Sequence, residues 1–291
     1  MIRWARIARP PEQGMEATVR RCITRLAACA FGVLSLSATA SADDNRAIYD
    51  ITHFDVLPVT SPFDSEQIAY KALFGYRDAS QGDFGSESFR IVNWLVATNH
   101  SFIVDVWKDQ QAFEAHLAQP HSVAFRFAVQ DLPSPDLLCC IGSPIDDRQY
   151  TLVGQFATPW TSAKLPSGVG TSSALFVITY VDFLADGDPN KGQDQLISYG
   201  AVTANANKKH LLNFTVLQQL DRPNRYVLLE VWDTETNYNT WGFNPVTGDT
   251  GSPVTANFVT RITPLLGSPL DYRLNSLCGE TYVDGTGCTS P

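Results

Sequence analysis

At 291 residues, 44% hydrophobic and 11% aromatic, the chain has ample material for folded cores and exceeds what a disordered chain carries. Lys and Arg number 21 against 30 Asp and Glu, and a net charge of −9 argues against sequence-independent binding of nucleic acid, which needs clustered cations. Two methionines and 17 prolines disfavour a long coiled coil or helical solenoid, and the length suggests two units of about 150 residues.

Residues 1–42 read as a targeting segment. Arg20, Arg21 and Arg25 flank an apolar run over 26–36, and Ala40-Ser41-Ala42 fits a cleavage signature. The run is short for a hydrocarbon core of about 30 Å. Leu26-Ala27-Ala28-Cys29 is similar to a lipoprotein box, but Arg25 leaves no apolar stretch before it, and Met15 is an alternative start. The expectation is a secreted or periplasmic protein with no membrane attachment once the signal is removed. Cys139, Cys140, Cys278 and Cys288 then remain, an even count that suggests disulfides in an oxidising compartment with three connectivities open. Cys278 and Cys288 bracket a short tail they could tie down, whereas a bond between adjacent Cys139 and Cys140 would be strained. Zinc-binding spacings of Cys and His are absent, so no metal is expected.

From residue 43 to 154 the pattern is strand, helix, strand, strand, helices, strand. Residues 48–57 alternate and are β-rich. Asp64-x-x-Gln67 is a capping-box pattern ahead of Ile68, Ala69, Ala72, Leu73 and Tyr76 at helical spacing. Stretches 89–97 and 102–107 read as strands joined by a turn around Asn99. Asp109 opens a short helix carrying Phe113 and Leu117, Pro120 interrupts it, a second helical stretch follows, and 145–153 closes the unit.

Residues 155–173, rich in Gly, Ser, Thr and Pro, read as a linker, and 174–277 repeat the first unit, leaving a tail at 278–291. At an offset of 125, Gly75 meets Gly200, Phe89 meets Phe214, Trp107 meets Trp232 and Pro120 meets Pro245. Gly142-Ser143-Pro144-Ile145-Asp146-Asp147-Arg148 faces Gly267-Ser268-Pro269-Leu270-Asp271-Tyr272-Arg273, and near the start an offset of 127 pairs Asp55 with Asp182. The order is that of an α+β fold with two ferredoxin-like βαββαβ repeats. Each four-stranded sheet has one face without helices, so the two should pack sheet to sheet, curving into a joint barrel.

Val104-Asp105-Val106-Trp107-Lys108-Asp109-Gln110-Gln111-Ala112-Phe113-Glu114-Ala115-His116-Leu117, followed by Pro120-His121, resembles the antibiotic biosynthesis monooxygenase (ABM) domain, a dimeric α+β-barrel family. The resemblance extends to the second repeat through Glu230-Val231-Trp232-Asp233, with Trp241 in place of His116 and Val246 in place of His121. It implies an intramolecular dimeric α+β barrel, so a monomer that is its own pseudo-dimer. It also implies cofactor-independent oxygenation of a small quinol- or phenol-like substrate, needing an apolar pocket, a base and a few hydrogen-bonding groups. Haem degradation is disfavoured: Trp241 matches the family's helix Trp by position, but no histidine lies near Gly251.

Strand alternation supplies candidate residues. His53 shares a face with Asp55, Tyr180 with Asp182, Asn93 with Phe89 and Ile91, Asp105 with Trp107, and Glu230 with Trp232. The candidate catalytic residues are His116, His53 and Asn93. The candidate substrate contacts are Trp107, Asp105, Phe113, His121, Tyr180, Glu230, Trp232 and Trp241. Polar groups on apolar strand faces fit a cavity or a structural network equally, and core packing competes with substrate contact for both tryptophans. His100 and His210 lie near turns and read as solvated. Beside an oxygenase stands a second reading, a non-catalytic module that holds a hydrophobic ligand.

Overall fold

The structure, a computed structural model, describes residues 46–55, 65–95, 100–130, 146–160, 174–185, 188–242 and 251–277. The targeting segment 1–42, Met15, Cys139, Cys140, Cys278, Cys288, the tail 278–291 and most of the linker lie outside these residues.

The first half runs β1 (Ile48–Asp55), α1 (Ser65–Ser80), β2 (Ser86–Trp94), β3 (His100–Trp107), α2 (Gln110–Leu117), α3 (Pro120–Gln130) and β4 (Asp146–Ala157). The second runs β5 (Leu175–Asp182), α4 (Pro189–Ala206), β6 (Leu211–Gln219), β7 (Arg225–Trp232), α5 (Glu235–Trp241), α6 (Pro253–Ile262) and β8 (Asp271–Leu277). Helix starts follow capping chemistry. The Asp109 carboxylate accepts from the Ala112 amide at 2.8 Å, and Ser252 caps α6 ahead of Pro253.

The strands close into an antiparallel barrel in the order β1-β3-β2-β8-β5-β7-β6-β4. The halves therefore join at their strand edges, β2 to β8 and β4 to β6, as well as sharing an interior. Strand β4 continues to Ala157, beyond the expected end at 153, because its last residues pair with β6 of the other half.

Alternation sorts each strand onto two faces. Tyr49, Ile51, Phe102, Val104 and Val106 meet Phe176, Ile178, Val227, Leu229 and Val231 inside the barrel, so neither half has a complete core alone. Trp160, just past β4, is buried beneath the stacked guanidinium of Arg90, 4.8 Å from its ring. At the other end the lumen widens into a polar cavity of about 260 Å³. The opposite faces lie under the helices. Phe54, Tyr70, Leu73 and Phe89 pack there in the first half, and Leu175, Phe214, Trp232 and Phe258 in the second. Among the described residues no helix is long and apolar enough to cross a membrane.

Candidate active site

Antiparallel register sets Asp50 of β1 directly opposite Asp105 of β3 on the helix-covered face of the first half. Both are buried, and cross-strand partners stand only about 5 Å apart at Cβ. The Trp107 indole donates to Asp105 Oδ2 at 2.8 Å, and Thr52 donates to Asp50 Oδ2 at 3.3 Å. Burial pushes Asp105 up to about 7. Burial, then the neighbouring charges of Asp105 and Asp147, raise Asp50 well above the carboxylate range, with Arg126 opposing. Two carboxyls so close in a dry site do not both ionise, so the pair retains a proton near neutrality.

His116 lies on the other side of the Trp107 ring, stacked on it at 4.2 Å. Helix α2 carries it there, since capping at Asp109 starts the helix so that Ala112, Phe113 and His116 share the buried face. Its Nδ1 is 2.7 Å from Asp83 Oδ2, and its Nε2 is 2.8 Å from the Tyr76 hydroxyl. Asp83 accepts a hydrogen bond from Nδ1–H, which leaves Nε2 as the acceptor for the Tyr76 phenol; this tautomer is assigned from the network. Burial lowers the pKa of His116 against the pull of Asp83, and burial together with Asp105 raises that of Tyr76. The resting pair is therefore a neutral imidazole and a neutral phenol. Ser122 Oγ lies 3.2 Å from the imidazole, and His121 Nε2 shares Asp83 Oδ2 at 2.9 Å. The Tyr76 ring is fixed by stacking on Phe125 at 4.1 Å.

A neutral base oriented by a carboxylate thus stands one indole away from a carboxyl that keeps its proton. This pairing suits acid–base work near neutral pH. Most of it is sealed: His116 is 1% exposed, whereas the side chains of Asp83 and His121 are 13% and 25% exposed and form the rim.

The residues singled out from sequence fall in several places. Asp105, Trp107 and His116 come together, with His121 at the rim. Phe113 packs under Trp107 with Ile48 and Ala112. Asn93 shares the face but pairs with Ser101, about four residues or roughly 13 Å along β3 from Asp105. There its amide closes a triangle with Tyr70 and Ser101, donating to Tyr70 at 3.0 Å and accepting from Ser101 at 2.8 Å. His53 and Tyr180 point the other way, into the lumen cavity, so His53 does not converge on His116. His100 is not a solvated turn residue: it begins β3 and contacts Asp55. His210 is 39% exposed and bonds Asp233 at 2.8 Å.

In the second half Trp232 donates to Glu230 at 2.9 Å, repeating the acid–Trp pair, and burial pushes Glu230 up to about 7. Trp241 replaces the imidazole and lends its backbone carbonyl to Thr255. Among the described residues, the helix layer of that half has no counterpart of the Tyr76–His116–Asp83 chain.

Sequence reading missed Tyr76, Asp83, Ser122 and Asp50. Asp50 left a signal, a carboxylate between Ile48 and Thr52 on an otherwise apolar strand face. Asp83 left none, because its place depends on how the α1–β2 turn meets α2.

No protein-family profile matches the sequence, and no curated protein is similar to it. Solved structures do share the fold. A candidate monooxygenase of Fusobacterium nucleatum subsp. nucleatum superposes with a TM-score of 0.60 at 14% identity, over 80% of this chain and 92% of its own. An anthrone oxidase-like protein gives 0.55 at 15% identity, over 81% and 93%. A candidate monooxygenase of Lactobacillus acidophilus gives 0.53 at 12% identity, over 81% and 95%. The likeness runs through both halves of the barrel.

Proposed function

We propose that the protein is an exported, ABM-like monooxygenase, each half a ferredoxin-like unit, that oxidises a small electron-rich aromatic at His116 in the first half. The observation that carries this reading is the Tyr76 hydroxyl 2.8 Å from Nε2 of an imidazole whose Nδ1 is held by Asp83, since an acidic phenol or anthrone would present its proton to the same nitrogen. Entering from the rim at Asp83 and His121, the substrate takes the place of the Tyr76 hydroxyl and gives its proton to His116 Nε2. Asp83 steadies the imidazolium. The substrate anion then delivers electrons to molecular oxygen, and the protonated Asp50–Asp105 pair supplies a proton to the reduced oxygen. For an anthrone the balance is one CH₂ group and one O₂ giving one carbonyl and one water.

The likeness to an anthrone oxidase-like protein supports a substrate of this class, as does the acid–base pair poised near neutrality. The second half, with Trp241 where the base stands in the first, is read as a structural or ligand-holding partner. Oxygen uptake measured with a panel of quinols and anthrones tests the assignment. The wild-type chain should consume oxygen with at least one of them, and His116→Ala should lose about 10²–10⁴-fold of that rate. Uptake that survives His116→Ala undiminished, or no uptake with any member of the panel, would overturn it.

A further inference from the structure

At the polar end of the barrel, on the lumen side of the sheet and away from His116, three potential ligand atoms meet. They are His53 Nε2, Asp55 Oδ1 and His100 Nδ1, all within 4.8 Å of one another. His53 and Asp55 follow one another along the inner face of β1, and register sets His100 opposite Asp55. His53 Nε2 lies 3.4 Å from Asp55 Oδ1, and His100 Nδ1 contacts the same oxygen. All three atoms are buried, yet none has a hydrogen bond of acceptable geometry. The Asp83 cluster differs, because there both imidazoles are hydrogen-bonded to the carboxylate.

The internal repeat shows what this place requires. Offsets of 127 and 125 carry Asp55 onto Asp182 and His100 onto Arg225. Asp182 and Arg225 are register partners as well, and the guanidinium donates to the carboxylate at 3.0 Å. The second half thus carries a covalently attached cation beside its aspartate. The first half has instead two imidazoles, whose neutral forms offer lone pairs, and the nearby guanidinium that acts on Asp55, Arg273, is itself ion-paired with Asp271 at 2.8 Å.

We propose that a divalent first-row transition ion, with zinc as the representative probe, binds at His53, Asp55 and His100. Two imidazoles and one carboxylate are a donor set for such ions. Bonds of about 2.0–2.2 Å at tetrahedral angles place ligand atoms about 3.4 Å apart, which is the His53–Asp55 spacing. The rings are held in place beforehand: His53 stacks on Phe102 at 4.7 Å, and Trp94 meets His100 edge-on at 5.4 Å. His53 also lines the 260 Å³ cavity with Tyr150, Tyr180, Arg148 and Arg273, so the ion's remaining position faces a space that takes water or an anion. No Cys or His spacing in the linear sequence marks the site, because its ligands come from two strands.

Full-length protein stripped by a chelator and titrated with Zn(II) should bind one ion per chain, with a dissociation constant of about 1 μM or tighter. Zn(II) should also raise the melting temperature. His53→Ala, Asp55→Asn and His100→Ala should each weaken binding by about a hundredfold or more and abolish the thermal shift, whereas His121→Ala should leave both unchanged. If His53→Ala does not fold, His100→Gln at the barrel rim reads the same site. An absence of zinc binding in the micromolar range would overturn the proposal. So would binding that survives His100→Ala and is lost in His121→Ala, since that places the ion at Asp83.

Discussion

Glu230 and Asp105 hold equivalent positions in the two halves, each accepting from the indole two residues further on and each pushed up to about 7 by burial. Glu230 has no second carboxyl opposite it, since Val177 of β5 stands where Asp50 faces Asp105, so it reports burial more simply. The folded state keeps a proton that the unfolded chain releases near 4.5. Folding therefore takes up a proton between about pH 4.5 and 7; this contribution to stability is whole below that window and falls as pH rises through it. Glu230→Gln keeps an acceptor for Trp232 and cannot ionise. Urea unfolding should show the variant equal to wild type near pH 4 and more stable above pH 8 by up to roughly 3 kcal/mol. A difference that does not change with pH would mean that Glu230 is ionised in the fold.

At the scale of elements, the site depends on the turn from α1 into β2 lying against α2. Gly85 in that turn has φ +81°, and a Cβ there would stand 2.4 Å from that of Ala112, while its carbonyl accepts from the Lys108 amide at 2.8 Å. This contact places Asp83 beneath His116. Gly85→Ala should cost about 2–4 kcal/mol from left-handed strain and overpacking, read by denaturant unfolding, and should lower the oxygen uptake proposed above by shifting α2. A fully stable, active variant would show that the turn and helix move independently. Elements were legible where one side chain decides them, as when Asp109 starts a helix or Asp105 and Trp107 alternate on an apolar strand. The placement of Asp83 was not legible, because it follows from a contact between turn and helix. Tyr76 was visible only as an apolar position at helical spacing, and the lumen direction of His100 depended on where β3 begins.

For the whole molecule, the offset of 125 made the duplication and the mutual covering of the sheets readable, because matched strands must bury matched faces. The way the halves join was not readable, since the edge pairing of β2 with β8 and of β4 with β6 leaves no periodic signal in either strand. Among the described residues, the β4–β6 seam pairs Tyr150 with Gln219 through Ala157 with Asn213, with a bulge between Leu152 and Gly154, and the β2–β8 seam pairs Val92 with Leu277 through Trp94 with Asn275. One pair of equivalent amides probes both seams. Leu95 donates to Leu274 at 2.8 Å across the β2–β8 seam, and Leu220 donates to Gln149 at 3.0 Å across the β4–β6 seam. Leu95 and Leu220 are 40% and 47% exposed, so surface access does not distinguish them. Local opening follows the hydrogen bonds and packed side chains that must separate together, and opening either seam exposes the same interior shared by both halves. Native-state hydrogen exchange should therefore find the Leu95 and Leu220 amides exchanging within about tenfold of each other, a difference in protection below about 1.4 kcal/mol. A larger difference would mean that one seam opens alone, while the other still holds the halves together as one barrel.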